Sequence, residues 1–228
     1  MFKPLALAAV LLASAPAFAS TVSIRFMSRD ASDPVLDTSM TANYATGGLN
    51  YTDSITGSFV AYCIEPEQPF ALSTKTGGVA NYRTYTVDSF SGAQGSLLQA
   101  LYSSSFASVH SGDQQAAFQL AVWEIMRETS GSLSLVQNNG NFFVKTAGLT
   151  GSQLDTANTV QGLADGYLAA AQNYQGLAQY DLVKLTNGTY QDLVVATPAN
   201  AVPEPETYAL LLGGLGVIGM VARRRLGR

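Results

Sequence analysis

The sequence predicts an α+β fold. Three observations lead there: short β-branched or alternating runs fill residues 21–90, helical spacing dominates from 94 to 172, and two alternating runs around Asn187-Gly188 return the chain to strand near its end. Strands at both ends around a helical middle do not suit an all-helical bundle or an alternating βαβ chain.

The first strands are expected at Val22–Phe26, Leu49–Tyr51 and Gly57–Tyr62, with Asp33-Pro34 and Gly47-Gly48 as turns between them. Cys63 then falls at or just beyond a strand end, because Pro66 and Pro69 deny a continued central strand. Residues 65–70 read as a loop, and Glu65 and Glu67 as its solvated carboxylates. Tyr82–Phe90 offers a further strand, with Arg83, Tyr85, Val87 and Ser89 on one face.

Helix is expected over Gln94–Tyr102, where Leu97, Leu98, Leu101 and Tyr102 cluster on one side. Ser111-Gly112-Asp113-Gln114 has capping-box spacing, so a second helix starts there and runs to about Arg127. Gln119 and Trp123 lie one turn apart on it and share a face with Ala116 and Met126, while Phe118, Val122 and Ile125 flank that face. The helix is apolar around most of its circumference and is expected to be buried. A third helix is expected over Gln153–Gln172, and Asn187-Gly188 between Tyr180–Leu185 and Tyr190–Val195 signals a β-hairpin.

The chain ends carry export signals. Lys3, the apolar run Leu5–Leu12 and Ala17-Phe18-Ala19 make residues 1–19 a secretory signal peptide. Residues 20–196 form the folding domain, and 197–207 a linker containing Pro203-Glu204-Pro205. Residues 208–228 are an apolar run to Ala222 followed by Arg223-Arg224-Arg225. The fifteen apolar residues reach about 22 Å as a helix against a hydrocarbon core of roughly 30 Å, a gap that flanking residues and arginine snorkelling narrow. This tail resembles the PEP-CTERM sorting signal. The resemblance implies recognition by an exosortase in a Gram-negative bacterium, with the C-terminal helix held transiently in the inner membrane.

Between the two ends stand seven basic and fourteen acidic residues, a net charge near −7. An acidic, charge-poor surface argues against nucleic acid and anionic lipid as partners. One Cys and one His lack metal-ligand spacing, no calcium loop or phosphate-binding glycine motif is present, and no cofactor is expected.

The lone thiol is the most informative residue. An exported chain with one cysteine forms no internal disulfide, so Cys63 is inert, intermolecular or chemically used. Ala61-Tyr62-Cys63-Ile64-Glu65 and Phe118-Gln119-Leu120-Ala121-Val122-Trp123, in that order, resemble the two halves of the thioester domains of bacterial surface adhesins. The short helix between them, Leu97–Tyr102, also fits the family pattern. Phe118 stands where Thr is common, and Ser103-Ser104-Ser105-Phe106 replaces a frequent Asn-Gly.

The resemblance implies a Cys63–Gln119 thioester, with Cys63 on a sandwich- or barrel-like β lobe packed against a small helical lobe that carries Gln119. It also implies covalent capture of an amine on a partner protein or glycan, by a protein that is not an enzyme. Tyr62, Phe118 and Trp123 are expected to shield the bond, and His110 to modulate it at most. Two other readings stand beside this one. The chain is a non-reactive protein of the polysaccharide matrix, or Cys63 and His110 form a thiol hydrolase.

Overall fold

The computed structural model describes residues 20–53, 57–69, 71, 81–129 and 133–199. The chain divides into two units, Met1–Thr197 and Pro198–Arg228, and the elements below belong to the first, whose last strand ends at the boundary. The expected signal peptide, the Pro203-Glu204-Pro205 motif and the apolar run after it lie outside the described residues. Among the described residues no helix is long and apolar enough to cross a membrane.

The fold is α+β, built on a closed six-stranded barrel. Its strands are β1 (Thr21–Arg29), β4 (Leu49–Asp53), β5 (Ser58–Cys63), β6 (Arg83–Asp88), β7 (Tyr180–Thr186) and β8 (Leu193–Pro198), in the order β1-β4-β5-β8-β7-β6. The short strands β2 (Val35–Leu36) and β3 (Tyr44–Ala45) form a separate two-stranded sheet. A bulge at Met27 shifts the register of β1 against β4, which bends the strand toward closure. Ile24, Leu49, Tyr51, Ala61, Tyr85, Leu185 and Leu193 fill the barrel. The inward position of Tyr85 follows the alternation read from the sequence.

Three helices make the second layer: α1 (Gly92–Ser105), α2 (Gly112–Arg127) and α3 (Gly151–Gln172). On α3 the buried residues are Ala157, Val160, Ala164, Leu168 and Ala171, small enough to let the helix lie close against α1 and α2. The capping box of α2 is formed in full. Ser111 Oγ accepts from the Gln114 amide, and the Gln114 side chain accepts from the amide of Ser111. Gly112 is required by close approach, because a Cβ there would stand 2.3 Å from the Ser32 carbonyl oxygen.

The hairpin expected around Asn187-Gly188 is present, since β7 and β8 are neighbours in the barrel, although β8 starts only at Leu193 and the connection is longer than those two residues. Asn187 Oδ1 accepts from the amides of Thr189 and Tyr190, and Asp192 Oδ1 accepts from the amide of Asn187, so side chains close the turn. One expectation needs correction. Glu65 and Glu67 are more than solvated loop carboxylates. Arg127 at the end of α2 donates to Glu67 at 2.5 Å and lies 4.0 Å from Glu65, which ties the loop after Cys63 to the helix.

Residues 133–144 have almost no regular structure, yet Leu135, Phe142 and Val144 are fully buried. Carboxylates replace the missing backbone partners. The amides of Ser134, Leu135 and Asn141 donate to Glu124 (2.8 Å), Asp165 (2.9 Å) and Glu128 (2.6 Å).

Burial raises the Glu124 carboxyl to about 8, with Glu128 and Asp165 adding to the shift and the Ser134 amide opposing it. The folded chain thus holds a proton that the unfolded chain releases above about 4.5, and stability falls as pH rises between those two values. Glu124→Gln keeps an oxygen for Ser134 and removes the titration. Urea unfolding is expected to find the variant more stable than the parent at pH 8, by on the order of 1 kcal/mol, with no such gain at pH 5.

Candidate functional site: the end of strand β5 against helix α2

Cys63 is the last residue of β5, where the barrel ladder is incomplete. Ile64 N–H donates to the Asp192 carbonyl at 2.9 Å, and Cys63 is paired with Leu193 on β8. Antiparallel alternation therefore turns the N–H and C=O of Cys63 toward the β4 side. There β4 has no residue to offer, because its first residue, Leu49, pairs with Ala61.

The Gln119 side chain takes the empty place. Cys63 N–H donates to Gln119 Oε1 at 2.9 Å, and Gln119 Nε2 donates to the Cys63 carbonyl at 2.7 Å. The carboxamide stands in for a peptide group of the missing strand. Gln115, one helical turn earlier, does the same on a smaller scale: its Oε1 accepts from Gly48 N–H at 3.3 Å, just before β4 begins. Gly48 permits this contact, since a Cβ there would stand 2.7 Å from that oxygen.

The pair is sealed from water. Cys63 and Gln119 are each only 1% exposed, and Tyr62, Phe118 and Trp123 are no more than 2% exposed. Tyr62 points from β5 into the helices, where its ring meets Phe118 edge-on at 5.0 Å and also packs on Tyr102 and Phe106. Trp123 lies on the other side, against Tyr44 at 5.1 Å and Phe142 at 6.0 Å.

Burial pushes the Cys63 thiol up to about 12. The Trp123 indole faces the sulfur and works against that shift, although its N–H reaches full hydrogen-bond geometry with no acceptor among the described residues. His110 is exposed in the loop before α2. Its backbone N–H donates to Gln114 Oε1, and nothing brings its ring to Cys63. Among the described residues no group of three His, Cys, Asp or Glu side chains is placed to hold a metal.

Two buried phenols and a half-buried one escape sequence reasoning. Tyr51 and Tyr85 point into the barrel, and their hydroxyls have no hydrogen-bond partner among the described residues. Burial raises both, and the Cys63 thiol adds to each shift. Tyr44, half-buried on the small β2–β3 sheet, packs edge-on against Trp123 and accepts a hydrogen bond from Gln191 Nε2. None of these residues sits in a sequence motif; tertiary packing alone gathers them.

Residues 201–225 match the model of the PEP-CTERM protein-sorting motif. No curated protein matches the chain. Among solved structures the chain is similar to the N-terminal thioester domain of the fibronectin-binding protein SfbI from Streptococcus pyogenes, with 14% identity and a TM-score of 0.48 over 82% of this chain and 97% of that one. It is also similar to the N-terminal domain of the Streptococcus pyogenes pilus tip adhesin Cpa, with 14% identity and a TM-score of 0.45 over 75% and 98%. A third similarity is to the N-terminal thioester domain of a surface protein from Clostridium perfringens, with 13% identity and a TM-score of 0.44 over 79% and 100%.

The geometry separates the stabilising roles of the two residues. Gln119→Ala leaves the N–H and C=O of Cys63 buried without partners, whereas Cys63→Ala retains both ladder bonds. Gln119→Ala is therefore expected to be the less stable of the two, by roughly 1–3 kcal/mol in urea unfolding.

Proposed function

We propose that this chain is an exported cell-surface or matrix protein whose folded unit stores an internal thioester between Cys63 Sγ and the side-chain carbonyl carbon of Gln119, and captures an amine of a partner covalently. The observation that carries this reading is the pair of hydrogen bonds holding the Gln119 carboxamide against Cys63. In forming the bond, Sγ attacks Cδ of Gln119, and the thiol proton departs with Nε2 as ammonia. Oε1 remains as the acyl oxygen. The Cys63 N–H that it already accepts from is placed to stabilise the charge that develops there.

Capture reverses the sense of the reaction. An amine, on a lysine of a partner protein or on a glycan, attacks the same carbon, and Cys63 leaves as a free thiol. The product is an amide between partner and Gln119. The thioester is consumed, so the event is single-use binding without turnover. Tyr62, Phe118 and Trp123 limit hydrolysis before the partner arrives, and His110 is at most a modulator. The sorting motif at 201–225 supports export. Its recognition by an exosortase, and a transient C-terminal helix in the inner membrane of a Gram-negative cell, belong to this proposal.

The burial that favours storage also favours a second reading, in which the bond only braces the fold of a matrix protein. Small amines separate the two, because a purely structural bond resists them. A thiol hydrolase is the weaker alternative. Repeated turnover needs a base in reach of a thiol that ionises readily. Here the histidine is exposed and the thiol is pushed up to about 12.

Intact mass of the fresh domain, prepared without amine buffers, is expected to fall short of the sequence mass by one ammonia. Methylamine is expected to release a titratable thiol and add to Gln119. Cys63→Ala and Gln119→Ala should each abolish both results yet still fold, since a cross-link closing a loop of this kind contributes roughly 2–4 kcal/mol if it behaves as a disulfide does. Full sequence mass with a free thiol in the parent protein rules the thioester out.

C-terminal peptide mapping of protein from the native envelope is expected to find an end near Pro203-Glu204-Pro205. A stable membrane form still ending at Arg228 favours a plain anchor.

A further inference from the structure

The chain contains two Asn-Gly pairs, Asn139-Gly140 and Asn187-Gly188. Asparagine is chemically labile before glycine, because no side chain shields the next backbone nitrogen from the carboxamide. The fold puts the two pairs in opposite settings.

Asn187 is tied down. Its Oδ1 accepts from the amides of Thr189 and Tyr190 at 2.9 and 3.0 Å, and its Nδ2 donates to the Thr84 carbonyl at 2.9 Å. Its carboxamide cannot swing toward Gly188 without losing these bonds. Asn139 instead ends an exposed turn, closed by its N–H donating to the Val136 carbonyl at 2.9 Å. Among the described residues none bonds its side chain, and none accepts from the Gly140 N–H. Both reacting groups are free. The fold also requires the glycine, since Gly140 has a φ of 100° and a Cβ there would stand 2.3 Å from Glu128 Oε2.

The turn is anchored on both sides. Before it, Gln137 Oε1 accepts from the amides of Thr146 and Ala147 at 2.7 and 2.9 Å. After it, Asn141 donates from its N–H to Glu128 at 2.6 Å and accepts at its carbonyl from Ser39 Oγ at 2.9 Å. The next residue, Phe142, is fully buried, with its ring edge-on to Trp123 at 6.0 Å. A change of length or charge at residue 139 therefore reaches Phe142.

We propose that Asn139 is a self-modifying site that converts to aspartate and isoaspartate through a succinimide, and that the change loosens Phe142 from Trp123. The Gly140 nitrogen attacks Cγ of Asn139, its proton departs with Nδ2 as ammonia, and a cyclic imide closes. Water then opens it. Opening at Cγ gives aspartate, whereas opening at the main-chain carbonyl gives isoaspartate, whose backbone runs through Cβ and is one atom longer. Either product adds a carboxylate next to the glycine that Glu128 touches, where like charges repel. The site stands whether or not the thioester forms, and under that reading its modification would weaken the cover on the Trp123 side of the bond.

The test follows purified protein through prolonged incubation at mildly alkaline pH, by peptide mapping and isoaspartate methyltransferase labelling. Trp123, the only tryptophan in the chain, serves as a fluorescent reporter. Modification is expected several-fold faster at Asn139 than at Asn187, and Trp123 emission is expected to move to longer wavelength as the label rises. Asn139→Gln, whose longer side chain closes the ring poorly, should show neither change. Equal rates at the two pairs, or no modification at Asn139, overturn the proposal. A labelled wild type whose emission matches that of incubated Asn139→Gln overturns the link to Phe142. If the variant does not fold, fresh wild-type protein takes its place as the reference for the same comparison. A succinimide is also one ammonia lighter than its parent, so mapping has to separate it from a thioester. A deficit that maps to Asn139 and persists in Cys63→Ala supports the succinimide, and one that maps to Cys63 and Gln119 and vanishes in Cys63→Ala supports the thioester, so the two readings fail separately.

Discussion

A peptide-like group at the end of β5, with no strand beside it, sets the geometry of the whole site. Cys63 turns its N–H and C=O toward a position that β4 does not reach, and an orphaned pair there would cost on the order of 1–3 kcal/mol per group. Gln119 meets both with one carboxamide. This requirement fixes the height and rotation of α2 on the barrel. Gln115 can reach Gly48 only in that phase, and the capping box at Ser111 starts the helix so that both glutamines face the sheet end. Arg127 then ties the far end of the helix to the loop that follows Cys63.

For the proposed thioester, the same arrangement would bring storage and reactivity into conflict. Sealing the sulfur behind Tyr62, Phe118 and Trp123 excludes water, but it also raises the energy of any charge formed there. A thioester at this place, as proposed, would be made once in the life of the protein and would tolerate slow formation. Its opening by a partner would not tolerate slowness in the same way. The barrel interior, with the hydroxyls of Tyr51 and Tyr85 beside its aliphatic residues, is more polar than its packing alone requires.

Most of the fold is legible in the sequence because its elements declare themselves locally. The capping box placed α2, the β-branched runs placed β1, β4, β5 and β6, and two prolines ended the strand at Cys63. The juxtaposition of Cys63 and Gln119 entered through a family resemblance, since nothing local links residues so far apart. Tyr44, Gln191 and the Arg127 ion pairs have no local signature at all. They depend on where a two-residue strand, the start of β8 and the end of a helix meet after the barrel closes. Residues 133–144 were equally silent, because a segment whose amides are satisfied by Glu124, Glu128 and Asp165 has no periodicity to read. Asn187-Gly188 announced the β7–β8 hairpin but not its length, because Asn187 turns its side chain to the backbone and draws out the connection.

The pairing of β5 with β8 also decides how the molecule would carry load. Leu193, at the start of β8, lies opposite Cys63, and the strand runs from there toward Pro198 and the C-terminus. Tension applied between the C-terminus and a partner fixed at Gln119 would therefore act along β8. The ladder bonds of Ala61, Tyr62 and Cys63 with Val195, Val194 and Leu193 would be sheared together instead of being peeled one at a time. A covalent hold is only as strong as the fold behind it, and strands loaded lengthwise resist pulling better than strands opened from one end.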